Sequence, residues 1–326
     1  MQDEAVLDIS ENDISKLNRD LLDVLLFDRT SRKHIIWGTD DYAEMGPEYS
    51  AGNEITQGLI TGMKGKVIQP RVLKAQMQKR DRTRARAEVF TPSWVCNAQN
   101  NLVDAQWFGG RNVFNEPAEQ GWITISDPVP FPEKGSKSWK RYVDAKRLEI
   151  TCGEAPYLVS RYDSVTGDMI PLPDRIGLLD RKLRVVNENT TTPEDWKKWA
   201  RRAVESVYGY EFQGDSLLLA RENVLYTYIE YYRERLGSEP ELKELKGIAL
   251  VISWNLWQMD GFNYAIPFCK VAKEPVQLSF FDLIADNECF DFTHLADTKG
   301  QQLCKIRDWR ANETIVFKNL VGGIQK

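Results

Sequence analysis

Apolar residues Ile14, Leu17, Leu21, Val24 and Leu25 recur at three- and four-residue intervals behind the polar run Ser10-Glu11-Asn12-Asp13. That spacing predicts an amphipathic helix capped by Ser10 or Asn12. From Thr39 to about Gly65 the pattern is lost; the stretch is polar, contains glycines and predicts loops. From Val72 to Arg86 breakers are scarce, which predicts a second helix. Glu88-Val89-Phe90-Thr91-Pro92 ends it. Thr91 is a cap candidate for a third helix with Pro92 in its first turn, carried on by Trp94, Val95, Ala98, Leu102 and Val103. Residues 109 to 140 are rich in Gly, Pro and Ser and predict a loop, which sets a seam between an N-terminal segment, 1–140, and a main domain, 141–326.

Beyond the seam the pattern alternates. "RLEITCGEAPYLVSRYD", from Arg147, is a short apolar run followed by Cys152-Gly153-Glu154-Ala155-Pro156, a cluster suited to neither a strand interior nor a helix interior. It reads as a strand end, a tight turn and the start of another element. Ile176 to Val186 is a short amphipathic piece, and Thr192-Pro193-Glu194-Asp195 opens a helix carrying Trp196, Trp199, Ala203 and Val204. "SVYGYEF" is a β-type run. Gly214-Asp215-Ser216 opens a long helix that ends near Gly237, and "GIALVISWNLWQMDG" reads as a buried strand and turn. Strands alternating with helices predict an α/β fold with a parallel central sheet, preceded by a helical segment.

Composition narrows the setting. The chain has 326 residues, 42% of them hydrophobic, which is enough to bury a large core, and ten Trp that predict large aromatic contacts. The net charge of −5 makes any nucleic-acid contact a local matter. The local candidate is Lys64 to Arg86, where Lys64, Lys66, Arg71, Lys74, Lys79, Arg80, Arg82, Arg84 and Arg86 face only Asp81. Such a strip fits phosphate contacts, and it equally fits a solvated helix face. Cys96, Cys152, Cys269, Cys289 and Cys304 are widely spaced, and His34 and His294 complete the soft ligands, so no metal site is expected. The cysteine usage, the absence of an apolar run near 20 residues and the polar N-terminus together suggest a cytoplasmic protein.

The turn after Glu149 carries the first candidate chemistry. A glycine and a small residue at a strand end allow close backbone approach to a ligand, as they also allow an ordinary strand-to-helix turn. Tyr208-Gly209-Tyr210-Glu211 is a second strand ending in an acid, and an acid there can accept hydrogen bonds from ribose hydroxyls. Taken in order, the two favour a nucleoside-containing ligand. Roughly sixty residues separate Gly153 from Glu211, against about twenty in a minimal unit, so an insertion lies between them. Cys152 as a nucleophile and "ELKELK", Glu241 to Lys246, as a nuclease-like Glu-x-Lys are the weaker candidates.

From about residue 85 to 265 the chain resembles the amino-terminal, cofactor-binding portion of the adenine-specific DNA methyltransferases of restriction–modification systems. "EVFTPSWVCNAQNNLVD" is similar to that family's Phe-Thr-Pro motif, with Phe90, Thr91 and Pro92 in place. "LEITCGEAPYLVS" is similar to its Asp-Pro-Ala-Cys-Gly-Ser-Gly-Thr-Phe-Leu loop. Glu149 stands at the acid, Cys152 and Gly153 at Cys-Gly, Tyr157 and Leu158 at Phe-Leu, and Ala155 at the second glycine. "VYGYEFQGDSLLLARENVL" looks like the strand and helix that place Glu211 and Phe212 at the ribose, and "ISWNLWQMDGF" like the segment that places Asp260 near the adenine amino group. The resemblance implies a Rossmann-like class I methyltransferase domain, S-adenosyl-L-methionine as cofactor, and a cofactor site of Phe90, Thr91, Pro92, Glu149, Cys152, Gly153, Glu154, Ala155, Tyr157, Glu211, Phe212 and Asp260. DNA would be held by Lys74, Lys79, Arg80, Arg82, Arg84 and Arg86.

The family's Asn-Pro-Pro-Tyr/Phe tetrapeptide, which holds the target amine and stacks on the flipped base, has no counterpart in the chain. The expectation is therefore a subunit that binds S-adenosyl-L-methionine while a second polypeptide supplies that motif and target recognition. Three alternatives stand beside it. The first is a self-sufficient methyltransferase with Asn255 as a divergent catalytic residue. The second is a non-catalytic DNA-binding or scaffold subunit that retains a degenerate fold. The third is an unrelated small-molecule enzyme.

Overall fold

A computed structural model describes residues 10–73, 91–132, 137–269 and 302–321. The predicted helix over Val72 to Arg86 therefore lies, beyond Leu73, outside the described residues, together with Phe90 and the six basic residues from Lys74 to Arg86. In chain order the elements are α1 (Glu11–Leu17), α2 (Arg19–Leu26), α3 (Gln57–Ile60), α4 (Ser93–Phe108), β1 (Asn115–Ala118), β2 (Gly121–Thr124), α5 (Trp139–Asp144), β3 (Arg147–Glu149), α6 (Leu178–Asn189), α7 (Pro193–Glu205), β4 (Val207–Glu211), α8 (Gly214–Leu236), α9 (Leu242–Asn255), β5 (Leu256–Gln258), β6 (Lys305–Asp308), β7 (Glu313–Val316) and α10 (Lys318–Val321).

The centre is a parallel three-stranded sheet in the order β3-β4-β5. Its register sets Glu149 beside Gly209 and Glu211 beside Gln258. One face, carrying Val207 and Leu256, joins the main core with residues of α6 to α9. The other, carrying Tyr208 and Trp257, packs with Met259, Cys304, Ile306 and Phe317 around the β6–β7 hairpin. The fold is thus α/β with a parallel sheet, as the alternating pattern predicts. The long stretch between β3 and β4 holds two helices, α6 and α7, where a minimal unit has one.

Several elements depart from their sequence pattern. The first predicted helix is two short ones, broken where Asn18 adopts an extended backbone; Ile14, Leu21 and Leu25 are buried, while Leu17 is exposed. Residues 109 to 140 are not a plain loop: they hold the antiparallel β1–β2 hairpin and the start of α5. "GIALVISW" is the body of α9, and only Leu256–Gln258 is strand. Its Val, Ile and Trp content suits a sheet, yet Leu245, Ile248, Ala249 and Ile252 are buried at helical spacing. Thr91 does not cap α4; Pro92 holds that position without a side-chain bond, and the Thr91 carbonyl accepts from Ser164 Oγ. Thr192 does cap α7, accepting from the Asp195 amide, and Gly237 ends α8 in the left-handed conformation.

Packing does not break at residue 140. Leu21, Leu25, Ile35 and Trp37 belong to the same buried cluster as Leu217, Leu225 and Ile252. The crossing is tight at Gly214, whose amide donates to the Trp37 carbonyl at 3.0 Å. A β-carbon there would lie 2.0 Å from the Ile36 carbonyl oxygen, so only glycine lets the N-terminal segment cross the start of α8. Gln258 clamps the same segment: its side chain accepts from the Ile36 amide and donates to the Ile36 and Phe212 carbonyls. Among the described residues no helix is long and apolar enough to cross a membrane.

Candidate functional site

The carboxyl ends of β3, β4 and β5 open into a cleft of about 1310 Å³. Open parallel sheets bind ligands outside the carboxyl ends of their strands. Of the residues expected at a cofactor site, Thr91, Glu149, Cys152, Gly153, Glu154, Tyr157, Glu211, Phe212 and Asp260 line this one cleft. Ala155 is buried beneath it. Pro92 sits at the start of α4, outside the lining.

The turn after β3 is shaped by backbone sterics. Thr151, Gly153 and Ala155 all have positive φ, at 46°, 53° and 64°. The Cys152 amide continues the parallel ladder by donating to the Tyr210 carbonyl at 2.8 Å. The Cys152 side chain then lies on β4, where a β-carbon at Gly209 would come within 3.2 Å of its β-carbon. That close approach accounts for the glycine in Tyr-Gly-x-Glu. Burial first, then the nearby Glu149 and Glu211, push the Cys152 thiol well above its ordinary range, which removes it as a nucleophile.

The acids divide by what they hold. Glu149 accepts from the Tyr157 and Leu158 amides at 3.4 and 3.1 Å. Burial pushes its carboxyl up to about 8 against the pull of those two donors, with Glu211 adding to the rise, so at pH 7 it keeps its proton. Glu211 Oε1 accepts from the Phe212 and Gln213 amides, and Oε2 from the Gly153 amide at 2.8 Å. A carboxylate offers about four acceptor positions, so one position on Oε2 is left for a ligand hydroxyl. Glu154 pins the loop: its oxygens accept from the Arg71 amide and the Tyr162 hydroxyl, and its carbonyl accepts from Asn223. Asp260 closes its own turn, accepting from Phe262 and Asn263.

Asn255 is not in the cleft. It sits at the opposite, amino end of β5, buried, with its amide donating to the Val204 and Val207 carbonyls and its oxygen accepting from Trp309. These bonds tie the end of α9 to α7, β4 and the β6–β7 hairpin away from the cleft, and this corrects its candidacy as a catalytic residue. "ELKELK" opens α9, with Glu244 bonded to Tyr228 and Lys246 to Asp20, contacts that hold helices together.

Sequence reasoning missed one wall of the cleft. Thr39, Asp40 and Ala51, from the stretch read as loop, line it, as do Gly38, Arg71, Gln99, Val103 and Phe268. Phe268 packs edge-on against Phe212, with centroids 5.8 Å apart. The one available signal was the tight Gly38 in an otherwise polar run; its φ of +78° lets the chain pass the Phe212 carbonyl. Among the described residues no group of three or more His, Cys, Asp or Glu could hold a metal ion. No protein-family model matches the chain, and no curated protein and no solved structure matches it either.

Proposed function

We propose that the chain is the S-adenosyl-L-methionine-binding subunit of an adenine-specific DNA methyltransferase, on a Rossmann-like domain, with the catalytic Asn-Pro-Pro-Tyr motif supplied by a partner polypeptide. The observation that carries this reading is the junction of Gly153 and Glu211: the turn after the first strand and the acid at the tip of the second meet in one cleft, at a 2.8 Å hydrogen bond. Glu211 Oε2 has one acceptor position left for a ribose hydroxyl. Glu149, protonated in the unliganded cleft, ionises when an ammonium group enters beside it. Phe212 and Phe268 offer apolar faces to a base. The cofactor supplies the reactive methyl group; the chain's own residues orient it and exclude water.

The partner is part of the reading because the sequence carries no Asn-Pro-Pro-Tyr/Phe tetrapeptide to accept from an exocyclic amine and stack on a flipped base. The six basic residues from Lys74 to Arg86 are the proposed DNA contacts. Isothermal calorimetry with S-adenosyl-L-methionine tests the central point. The wild-type chain should bind, and Glu211→Gln, which keeps an acceptor for the backbone amides, should bind about tenfold or more weakly, the cost of a lost charged hydrogen bond. Equal affinity in the two proteins would refute the ribose role. Absence of binding by the wild type would leave the degenerate-scaffold reading in its place.

A further inference from the structure

The helix α4 is built inside out. Its buried side carries Asn97, Asn100 and Asp104, and its outward side carries Trp94, Ala98, Leu102 and Val103. The inward polar groups are satisfied. Asn97 exchanges hydrogen bonds with Asn115, Asn100 donates to the Tyr157 and Ile176 carbonyls, and Asp104 accepts from Tyr142 and pairs with Arg181. The core therefore fixes the inversion, and the inversion leaves apolar side chains in water: Trp94 is 40% exposed and Leu102 69%. Asp104 is the one charged residue of α4, so its outward side carries no charge. A solvated helix face ordinarily carries charged and polar groups. A contiguous apolar face marks a protein contact.

The face meets the open edge of the sheet at the cleft, where Gln99 and Val103 of α4 and Leu148 and Ile150 of β3 are all lining residues. Among the described residues β3 pairs with β4 alone, so the Leu148 amide and carbonyl and the Ile150 amide point outward with no strand to bond. Unpaired backbone groups beside an apolar face fit an extended strand. A strand laid parallel to β3 sends its following loop into the cleft, at the carboxyl ends of the strands. A second copy of this chain, brought in by a two-fold axis, would lay its own β3 antiparallel and send its following turn to the far end. We propose that the outward face of α4 and the open edge of β3 form one docking surface for a second polypeptide, which adds an apolar, uncharged strand parallel to β3. This rests on the partner reading above and adds to it the place where the partner sits and the kind of segment it presents.

The probe is a fluorescein-labelled synthetic peptide, Thr-Val-Ile-Val-Gly-Asn-Pro-Pro-Tyr, an apolar strand followed by the tetrapeptide. It is titrated with the full chain and read by fluorescence anisotropy. The wild type should bind it with a Kd of about 100 µM or tighter. The same peptide with proline in place of Val-Ile-Val cannot bond along a sheet edge and should not bind. Ile150→Lys and Leu102→Lys should each weaken binding at least about tenfold, because each sets an ammonium group in the covered apolar surface. Leu242→Lys, on α9, should leave it unchanged. Thermal melts confirm that the variants fold; should Ile150→Lys fail to, Leu102→Lys carries the comparison. A wild-type chain that does not bind the peptide overturns the surface, as does a loss in Ile150→Lys with none in Leu102→Lys. Leu148 and Ile150 amides already protected from hydrogen exchange in the isolated monomer would give the edge to another part of this chain, and a tight homodimer that excludes the peptide would give it to a second copy; either overturns the proposal. Calorimetry with S-adenosyl-L-methionine on the same samples keeps the two readings apart. Cofactor binding without peptide binding sinks the docking surface alone, and peptide binding without cofactor binding sinks the adenosyl reading alone.

Discussion

At Ala155 a buried methyl group sits on a left-handed backbone, with φ of 64°. That conformation costs an L-residue about 1–2 kcal/mol. Glycine would relieve it, but would lose about 0.8 kcal/mol of methyl burial and about 0.4–1 kcal/mol through the freer unfolded chain. The opposing terms nearly cancel. Ala155→Gly should therefore be close to neutral, within about 0.5 kcal/mol, where an ordinary buried alanine would lose more than 1 kcal/mol. Ala155→Val, whose branched β-carbon tolerates positive φ worst, should lose about 2 kcal/mol or more. Urea midpoints of the two variants decide it: a glycine variant as damaged as the valine one would show that the turn does not strain residue 155.

At the scale of elements, α1 and α8 each hold a carboxyl out of water, near enough for one to act on the other. Glu11 is 2% exposed and Glu222 0%. Neither Glu222 oxygen has a hydrogen-bond partner among the described residues. Burial is the main cause that pushes Glu11 up to about 8, and burial followed by Glu11 pushes Glu222 well above its ordinary value, with Arg161 acting the other way. Arg161 itself is paired with Glu230 at 2.7 Å. In the folded protein both acids hold their protons to higher pH than in the unfolded chain. Their contribution is whole below about pH 4.5 and is lost as pH rises toward 8, because the unfolded state releases its protons first. Stability should fall between pH 5 and 8 by up to about 1.4 kcal/mol per unit for each retained proton. Glu222→Gln should flatten part of that slope; Glu149 and Asp180, raised for the same reason, keep the rest. Urea unfolding at pH 6 and pH 8 measures it, and an unaltered slope in Glu222→Gln would sink the account.

The same elements show what the sequence made legible. Caps and breakers are local, so Thr192, Gly214 and Gly237 marked their helix ends correctly. The order of strand, turn and acid put Glu149, Gly153 and Glu211 in one cleft. Illegible were the features decided by distant partners. Asn18 interrupts a periodic apolar pattern with an extended backbone although α1 and α2 bury residues in one core, and α9 takes a β-rich composition because Ile248, Ala249 and Ile252 are buried at helical spacing. Arg71 and Gly38 reach the cleft through crossings over Glu154 and Phe212 that no spacing encodes.

At the scale of the molecule, the sheet has an edge that its neighbours leave open. β3 pairs only with β4 among the described residues. In a parallel ladder alternate residues face each side, and since the Arg147 amide bonds to the Ser206 carbonyl, Leu148 and Ile150 direct their backbone groups outward. Their side chains are apolar and exposed, Leu148 at 45% and Ile150 at 63%, and with Val103 on α4 they border the cleft. Proteins that keep an edge strand solvated usually place charge or proline there. The outward positions Leu148 and Ile150 carry neither, which predicts that the isolated chain self-associates with rising concentration, and that Ile150→Lys suppresses this. Sedimentation velocity from about 5 to 100 µM should show faster species in the wild type and a single slow species in the variant, a concentration range suited to weak edge contacts. A wild-type chain that stays monomeric throughout would show the edge to be covered. If a partner completes the cleft from this side, the same lysine should also lower its affinity.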